Sequence, residues 1–229
     1  MVSRDKADVQ VLENPAWYTA YTPYSPEQSQ GRLESLINYQ TVVTNMTGLP
    51  IANASLLDES TAAAEGMAMA LANIPKPKFA KGKKVFLVSP SVAPQTIAVL
   101  QTRARGFGIE LQIAKSNSSF ESEIEQLGEE KLLGSLVQYP DVNGEIGDWS
   151  GAAAKVKKAG AKMVVASDLL ALTMLKPPGE WGADMVCGSS QRFGELDLWR
   201  RGEKVNADFQ VSQQVTEDRT PRSSRVPRS

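Results

Sequence analysis

The sequence has no histidine and a single cysteine, Cys187, among its 229 residues. Without histidine, the Ser-His-Asp and Cys-His nucleophilic sites and His-ligated zinc are excluded, and the usual general base near neutral pH is missing. One cysteine cannot form a disulfide within the chain, and it argues against a structural zinc site. Acid–base chemistry in this protein therefore falls to carboxylates, lysines or tyrosines.

A strong net charge and long apolar runs are also missing. The formal net charge is −1, so no global field favours binding to nucleic acid or to an anionic membrane. No apolar run reaches the roughly 20 residues that a membrane-spanning helix needs. We therefore expect neither nucleic acid nor a membrane as a partner. The 41% of hydrophobic residues is typical of a globular domain with a sizeable core.

Aromatic residues are few, but they cluster near the start of the chain. Trp17, Tyr18, Tyr21 and Tyr24 lie within eight positions, and the prolines around them disfavour a helix. A tyrosine has an apolar ring and a polar tip, so it suits an interface or the wall of a ligand site. An arm that packs over the domain explains the cluster equally well. Residues 1–32 are thus predicted to form an N-terminal aromatic arm.

The stretch Asn53–Ala70 predicts a polar loop that leads directly into a slim helix rich in alanine. Asp58 or Ser60 can act as the N-cap. Free amides at the helix start, with the hydroxyls of Ser60 and Thr61, are the chemistry that holds a phosphate or a carboxylate. A capped helix packed in the core is the alternative, and the local residues alone favour it.

Helical and apolar segments alternate along most of the chain. The spacing of apolar residues from Leu33 predicts a helix that ends at Gly48. The later alternation predicts a mainly parallel sheet covered by helices on both faces. The predicted strands are Val85–Ser89, Glu110–Ala114, Leu133–Tyr139, Lys162–Ser167 and Met185–Gly188, and the helices between them are Pro94–Phe107, Ser119–Leu127 and Trp149–Ala159.

Polar residues stand where several of these strands end. Ser89, Tyr139 with Pro140, and Asp168 all fall at predicted carboxyl ends. Ligands of parallel α/β sheets bind beyond that edge. The sequence therefore predicts a candidate site there.

Residues 195–229 break the alternating pattern. Acidic and basic residues are interspersed there among serines and prolines, with no helix or strand periodicity. Such a composition is typical of disorder. We predict an atypical, disordered tail that is separate from the α/β domain of residues 33–194.

Several stretches together resemble the P-protein family of the glycine cleavage system, the glycine dehydrogenases (decarboxylating). They include ENPAWYTAYTPY, TGLPIANASLLDESTAAAEGMAMA, LVQYPD and GSSQRFG, and they follow the family order over roughly Gln10 to Gly194. The resemblance implies a three-layer α/β fold, that of the large domain of aspartate-aminotransferase-type (fold type I) enzymes. It also implies that this chain is a truncated first half of a protein with two related halves. The unmatched tail of the chain would then come from a splice variant, a frameshift or an incorrect gene model.

The resemblance further implies an oxidoreductase that uses pyridoxal phosphate. In this family glycine loses its carboxylate as carbon dioxide, with the cofactor ring as electron sink. The aminomethyl group then passes to the lipoyl group of the H-protein. The implied partners are glycine, lipoylated H-protein and the lysine-bearing half or subunit of P-protein. The implied location is the mitochondrial matrix in a eukaryote, despite the lack of a targeting segment here, and otherwise the cytoplasm.

The chain departs from the family at the position of the cofactor lysine. Where the active half of the family carries Asn-x-His-Lys, this chain has Ser190, Gln191 and Arg192. The Schiff-base lysine is therefore missing, and without histidine the ring-stacking residue is missing too. Lys176 follows Asp168 by only eight residues, a shorter interval than the family places between its aspartate and lysine, so we do not expect it to replace the anchor.

These departures predict that the chain alone is catalytically incomplete. The resemblance places Tyr21 and Tyr24 at the wall of a shared active site and Ser60 and Thr61 in its scaffold. Asp168 corresponds to a vestige of the aspartate that binds the cofactor ring. One alternative is a non-catalytic partner or regulatory fragment that binds the lysine-bearing half, and another is an unstable product without a function.

Overall fold

The computed structural model describes residues 24–53, 56–73 and 84–193. The chain divides into two compact units, Met1–Val43 and Thr44–Ser229. The described part of the first unit is mostly helix α1, Gln30–Thr47, whose last four residues are assigned to the second unit; this helix was predicted from Leu33. Most of the predicted aromatic arm and the whole of the predicted tail lie outside the described residues, so these domain boundaries stay predictions.

The second unit alternates strands and helices after its first helix. Each strand and helix predicted from the alternating pattern is present, with small shifts at the ends. In chain order the elements are α2 (Glu59–Asn73), β1 (Lys84–Val88), α3 (Pro94–Phe107), β2 (Ile109–Ile113), α4 (Phe120–Lys131), β3 (Leu132–Tyr139), α5 (Ser150–Lys158), β4 (Lys162–Ser167) and β5 (Met185–Cys187), with short 3₁₀ helices at Ala171–Thr173, Pro178–Trp181 and Gln191–Phe193.

The strands form one parallel sheet in the order β2-β1-β3-β4-β5. Helices α2 and α3 pack on each other and on one face, while α4 and α5 pack on each other and on the opposite face. Strands β1, β3, β4 and β5 are buried on both faces, which explains their nearly continuous apolar sequences, whereas β2 at the edge of the sheet is partly exposed. The predicted three-layer α/β architecture is therefore present.

The order of the strands places a topological switch point between β1 and β3. The connection from β1 to β2 runs through α3, and the connection from β2 to β3 returns past β1 through α4 on the other face. The chain therefore changes direction between β1 and β3. In open α/β sheets, the loops that follow the two strands at this switch point diverge and leave room for a ligand.

Helix α2 lies close to the sheet because, apart from Met67, the residues of its buried face are small. A Cβ atom added to Gly66 would lie 2.9 Å from Cγ1 of Val164 in β4. At the start of the helix, the Thr61 N–H donates to Oδ1 of Asp58 at 2.6 Å. Of the two predicted N-caps, Asp58 is the one that caps. None of the helices in the described ranges combines the length and the apolar character needed to cross a membrane.

Candidate functional site

A cleft of about 500 Å³ lies at the carboxyl edge of the sheet. Residues that follow β3, β4 and β5 line it together with the first residue of α2, and we call it the edge cleft. Its polar lining includes Glu59, Gln138, Asp141, Asp168, Ser189 and Arg192. The cleft lies at the edge that the strand ends predict.

Asp168 follows β4 directly and has two partners. Its Oδ1 accepts the N–H of Leu170 at 2.9 Å, and its Oδ2 lies 3.5 Å from Nε of Arg192. The side chain of Arg192 is 61% exposed, so the pair is accessible to solvent. The one cation of the described lining is therefore paired with the carboxylate that ends β4.

Glu59 places a second carboxylate in the cleft. Burial raises the pKa of Glu59, and the negative charges of Asp168 and Asp58 raise it further. Burial also raises the pKa of the Cys187 thiol, with a smaller contribution from Glu59. A buried thiol with a raised pKa is not a nucleophile, so Cys187 is a core residue of β5.

Asp141 organises the loop that follows β3. Its Oδ1 accepts the N–H groups of Asn143 at 2.8 Å and Glu145 at 3.0 Å. Burial alone would raise the pKa of Asp141, but the hydrogen bonds outweigh burial and lower it. The loop is therefore folded around an ionised carboxylate at the rim of the cleft.

Hydrogen bonds join the loops on both sides of the switch point. The Ser89 hydroxyl donates to Oδ1 of Asn117 at 2.7 Å, and Nδ2 of Asn117 donates to the Ser91 hydroxyl at 2.8 Å. The N–H of Val142 donates to the carbonyl of Ser91 at 3.2 Å. The loops after β1, β2 and β3 thus form one polar rim.

The residues predicted from the sequence lie in different places. Tyr21 lies outside the described residues, and Tyr24 belongs to the first unit with a side chain that is 89% exposed. The buried hydroxyl of Ser60 lies 3.0 Å from Oγ1 of Thr96 on α3, and the Thr61 amide donates to the N-cap. Of these five residues, Asp168 lines the edge cleft, as does Pro140 among the predicted strand-end residues, and the assigned roles of all five stay predictions.

Three lining residues were not predicted as site residues. Neither Glu59 nor Asp141 stood out in the sequence, and Arg192 was considered only at the position of the family's lysine. Asp141 could have been identified because ligands bind beyond the carboxyl ends of parallel strands, and it follows β3 by two positions. No local signal identifies Glu59, since tertiary packing alone brings the start of α2 to this edge.

The described residues do not fit pyridoxal phosphate. A covalent link needs a lysine, and Arg192 stands at the position where the resemblance expects one, paired with Asp168. The phosphate would need open amides at the start of α2. There Asp58 accepts the Thr61 N–H, and Glu59 adds a further negative charge.

Sequence comparisons match most of the chain to one family. The model of the glycine cleavage system P-protein matches residues 6–196. The glycine dehydrogenase (decarboxylating) of Paraburkholderia xenovorans (strain LB400) is 53% identical over 184 residues, which are 80% of this chain and 18% of that protein. The chain therefore spans about a fifth of the length of this relative.

Comparison with solved structures matches the same family and a wider fold group. Glycine decarboxylase (P-protein) of the glycine cleavage system, solved in an inhibitor-bound form, has a TM-score of 0.69 and 38% identity over 81% of this chain and 41% of that one. A Campylobacter jejuni protein described as an O-acetylhomoserine (thiol)-lyase, solved with N'-pyridoxyl-lysine-5'-monophosphate, has a TM-score of 0.51 and 13% identity over 75% of this chain and 43% of that one. The second likeness shows the fold alone. The predicted fold of the fold type I enzymes is confirmed.

Proposed function

This chain belongs to the P-protein family of the glycine cleavage system, and from that membership we propose that it is part of a glycine dehydrogenase (decarboxylating). The proposed activity is the release of carbon dioxide from glycine, with transfer of the aminomethyl group to the lipoyl group of H-protein. Pyridoxal phosphate supplies the electron sink for such a reaction when it is bound. The support is the match over residues 6–196 and the 53% identity to a curated glycine dehydrogenase.

Within that activity, we propose that this chain contributes a supporting domain and that a lysine-bearing half or subunit holds the cofactor. The observation that carries this role is the ion pair of Arg192 with Asp168 in the edge cleft. Arginine keeps its proton at any physiological pH and cannot form the Schiff base that lysine forms. The chain alone is therefore expected to be inactive.

A second candidate function is that of a non-catalytic partner that binds the lysine-bearing half and regulates it. The same ion pair supports this candidate, because it leaves the described cleft without a covalent anchor. The two candidates differ in one respect. A supporting domain raises the activity of the lysine-bearing half, whereas a regulatory partner binds that half without being needed for the chemistry.

The test is a reconstitution with the full chain. The purified chain is mixed with the lysine-bearing half of a P-protein, pyridoxal phosphate and lipoylated H-protein, and labelled carbon dioxide is measured from carboxyl-labelled glycine. We expect no release from the chain alone and more release from the mixture than from the lysine-bearing half alone. Co-elution without a gain in release would favour the regulatory candidate. Release by the chain alone, or neither co-elution nor a gain, would contradict the proposed role.

We also propose a compartment, which rests on the resemblance alone. The proposed location is the mitochondrial matrix if the source is a eukaryote, and the cytoplasm otherwise. Fractionation of cells that express the native gene, followed by immunodetection of the chain, tests this location. Detection in the cytosol of a eukaryotic cell would contradict it.

A further inference from the structure

Strand β2 lies at one end of the described sheet, where it pairs with β1. Edge strands of monomeric proteins are usually protected by lysine, proline or a bulge. The β2 sequence Ile-Glu-Leu-Gln-Ile contains neither lysine nor proline, and its pairing with β1 runs from Ile109 to Ile113 without a bulge. The strand is therefore a regular edge to which a further strand can be added.

The backbone of β2 presents hydrogen-bonding groups on its outer side. The N–H of Ala114, directly after the strand, donates to the carbonyl of Val88 in β1 at 2.9 Å. Because the direction of the backbone groups alternates along a strand, the even-numbered residues of β2 also face β1. Ile109, Leu111 and Ile113 therefore present their N–H and C=O groups outwards. Among the residues that the structure describes, none makes a hydrogen bond with these outward groups.

The side chains of the same three residues lie on the face of the sheet that α3 covers. Ile109 belongs to the buried core that includes residues of α2 and α3, and Leu111 packs against this core. Ile113 is 43% exposed, and Phe107, which ends α3 just before the strand, is 42% exposed. Gln112 lies on the opposite face, where its Nε2 donates to a carboxylate of α4. The apolar row of β2 thus begins in the core and ends exposed at Ile113.

We propose that β2 pairs with β2 of a second copy of this chain, antiparallel and centred on Leu111, so that the two sheets join into one. In this register Leu111 lies opposite Leu111 of the second copy, and Ile109 lies opposite Ile113. Each of these pairs can exchange two N–H···O bonds. Glu110 lies opposite Gln112, so no carboxylate faces another. A register centred on Glu110 would place two carboxylates opposite each other, which is destabilising.

This pairing is separate from the edge cleft. None of the described residues that line the cleft belongs to β2, and β2 and β5 stand at opposite ends of the sheet. The dimer through β2 therefore does not rest on the proposed decarboxylation, and it leaves the cleft open to another protein.

The first test is a disulfide between two copies of the full chain. The native Cys187 is buried, so a new surface cysteine reports its own surroundings. Leu111→Cys places two thiols opposite each other, with Cα atoms about 5.5 Å apart in a hydrogen-bonded antiparallel pair, a separation that a disulfide can bridge. Under mild oxidation this variant should form a covalent dimer about tenfold faster or more than Lys158→Cys, a control at an exposed position of α5. Equal rates, or no cross-link at residue 111, would overturn the proposal.

The second test measures the association itself by sedimentation equilibrium of the full chain, from about 10 μM to about 1 mM. The wild type should show a monomer–dimer equilibrium. Ile113→Lys should weaken the dimer by about tenfold or more, because it places a cation among apolar side chains at the edge.

The matched control is Ile146→Lys, the same change at an isoleucine that is 58% exposed in the loop after β3. It should leave the association unchanged. Thermal unfolding curves confirm that each variant is folded. A wild type that stays monomeric throughout, or an equal effect of the two lysine substitutions, would contradict pairing through β2.

Discussion

At the scale of single residues, Glu123 and Glu59 show how partners decide the ionisation of a buried carboxylate. Glu123 is 6% exposed and accepts hydrogen bonds from the Lys115 N–H, the Ser119 hydroxyl and the Gln112 amide at 2.9, 2.7 and 3.1 Å. Burial alone would raise the pKa of Glu123, but these donors and the charge of Lys115 outweigh burial and lower it. Glu59 lacks such donors in the described residues and its pKa is raised. The first glutamate stabilises the fold, whereas burial and the neighbouring carboxylates disfavour the charged form of the second.

We predict that Glu123→Gln lowers the free energy of unfolding by about 1–3 kcal/mol at neutral pH, because a neutral amide cannot accept all three hydrogen bonds of the carboxylate. A lowered folded pKa contributes stability that is present above the unfolded pKa and is lost as the pH falls through the folded value. The difference in free energy of unfolding between wild type and variant should therefore become smaller as the pH falls below the ordinary glutamate pKa. Urea unfolding at a series of pH values measures this difference.

The control is Glu130→Gln, which changes an exposed glutamate near the end of the same helix. Its unfolding free energy should stay within about 0.5 kcal/mol of the wild-type value, as is usual for surface positions. If the difference in free energy of unfolding between wild type and Glu123→Gln stayed constant down to acidic pH, the carboxylate would contribute through packing and not through its charge.

At the scale of helices and strands, the local sequence pattern was enough to predict the elements. It was not enough to predict all the residues that line the edge cleft. Lys162–Ser167 was predicted with its observed bounds, because a strand buried on both faces has a continuous apolar run between polar ends. Helix α4 was predicted to end at Leu127, and the backbone at Gly128 leaves helical geometry with φ 59° and ψ −171°. Asp168 was predictable from the end of its strand. That Glu59 and Arg192 line the same cleft was not predictable, because it depends on the strand order and therefore on long-range packing.

Gly66 gives a prediction at this scale. Gly66→Leu should lower the free energy of unfolding by about 3 kcal/mol or more, since overpacking of a tight core has such costs. The neighbour is Cγ1 of Val164, only 2.9 Å from an added Cβ, and a β-branched side chain cannot easily turn away. Chemical denaturation measures the loss.

The matched control is Gly106→Leu in α3, where an added Cβ meets nothing within 4 Å. Leucine favours helix more than glycine does, so this variant should keep or slightly raise the stability, by about 0.5 kcal/mol. If both variants lost stability equally, the close approach of α2 to β4 would not be the cause.

At the scale of the whole molecule, the edge cleft is assembled from parts that are distant in the sequence. The start of α2 and the loops after β3, β4 and β5 meet there because the parallel sheet gathers all its carboxyl ends on one side. A covalent pyridoxal phosphate site on this scaffold would need a lysine, open helix amides and an unpaired carboxylate together. The described chain differs at each of these: Arg192 replaces the lysine, Asp58 caps α2, and Asp168 is paired.

A single substitution should therefore not restore the covalent site. We predict that Arg192→Lys in the full chain, incubated with pyridoxal phosphate and reduced with borohydride, gives no more modification at residue 192 than an exposed lysine such as Lys157 shows. The physical reason is that the carboxylates of Asp58 and Glu59 still occupy the start of α2, where a phosphate would have to bind, and the new lysine still lies beside Asp168. Peptide mapping by mass spectrometry compares the two positions in one sample. Stoichiometric and selective modification at residue 192 would show that the lysine alone was missing, and that the acidic start of α2 does not exclude the phosphate.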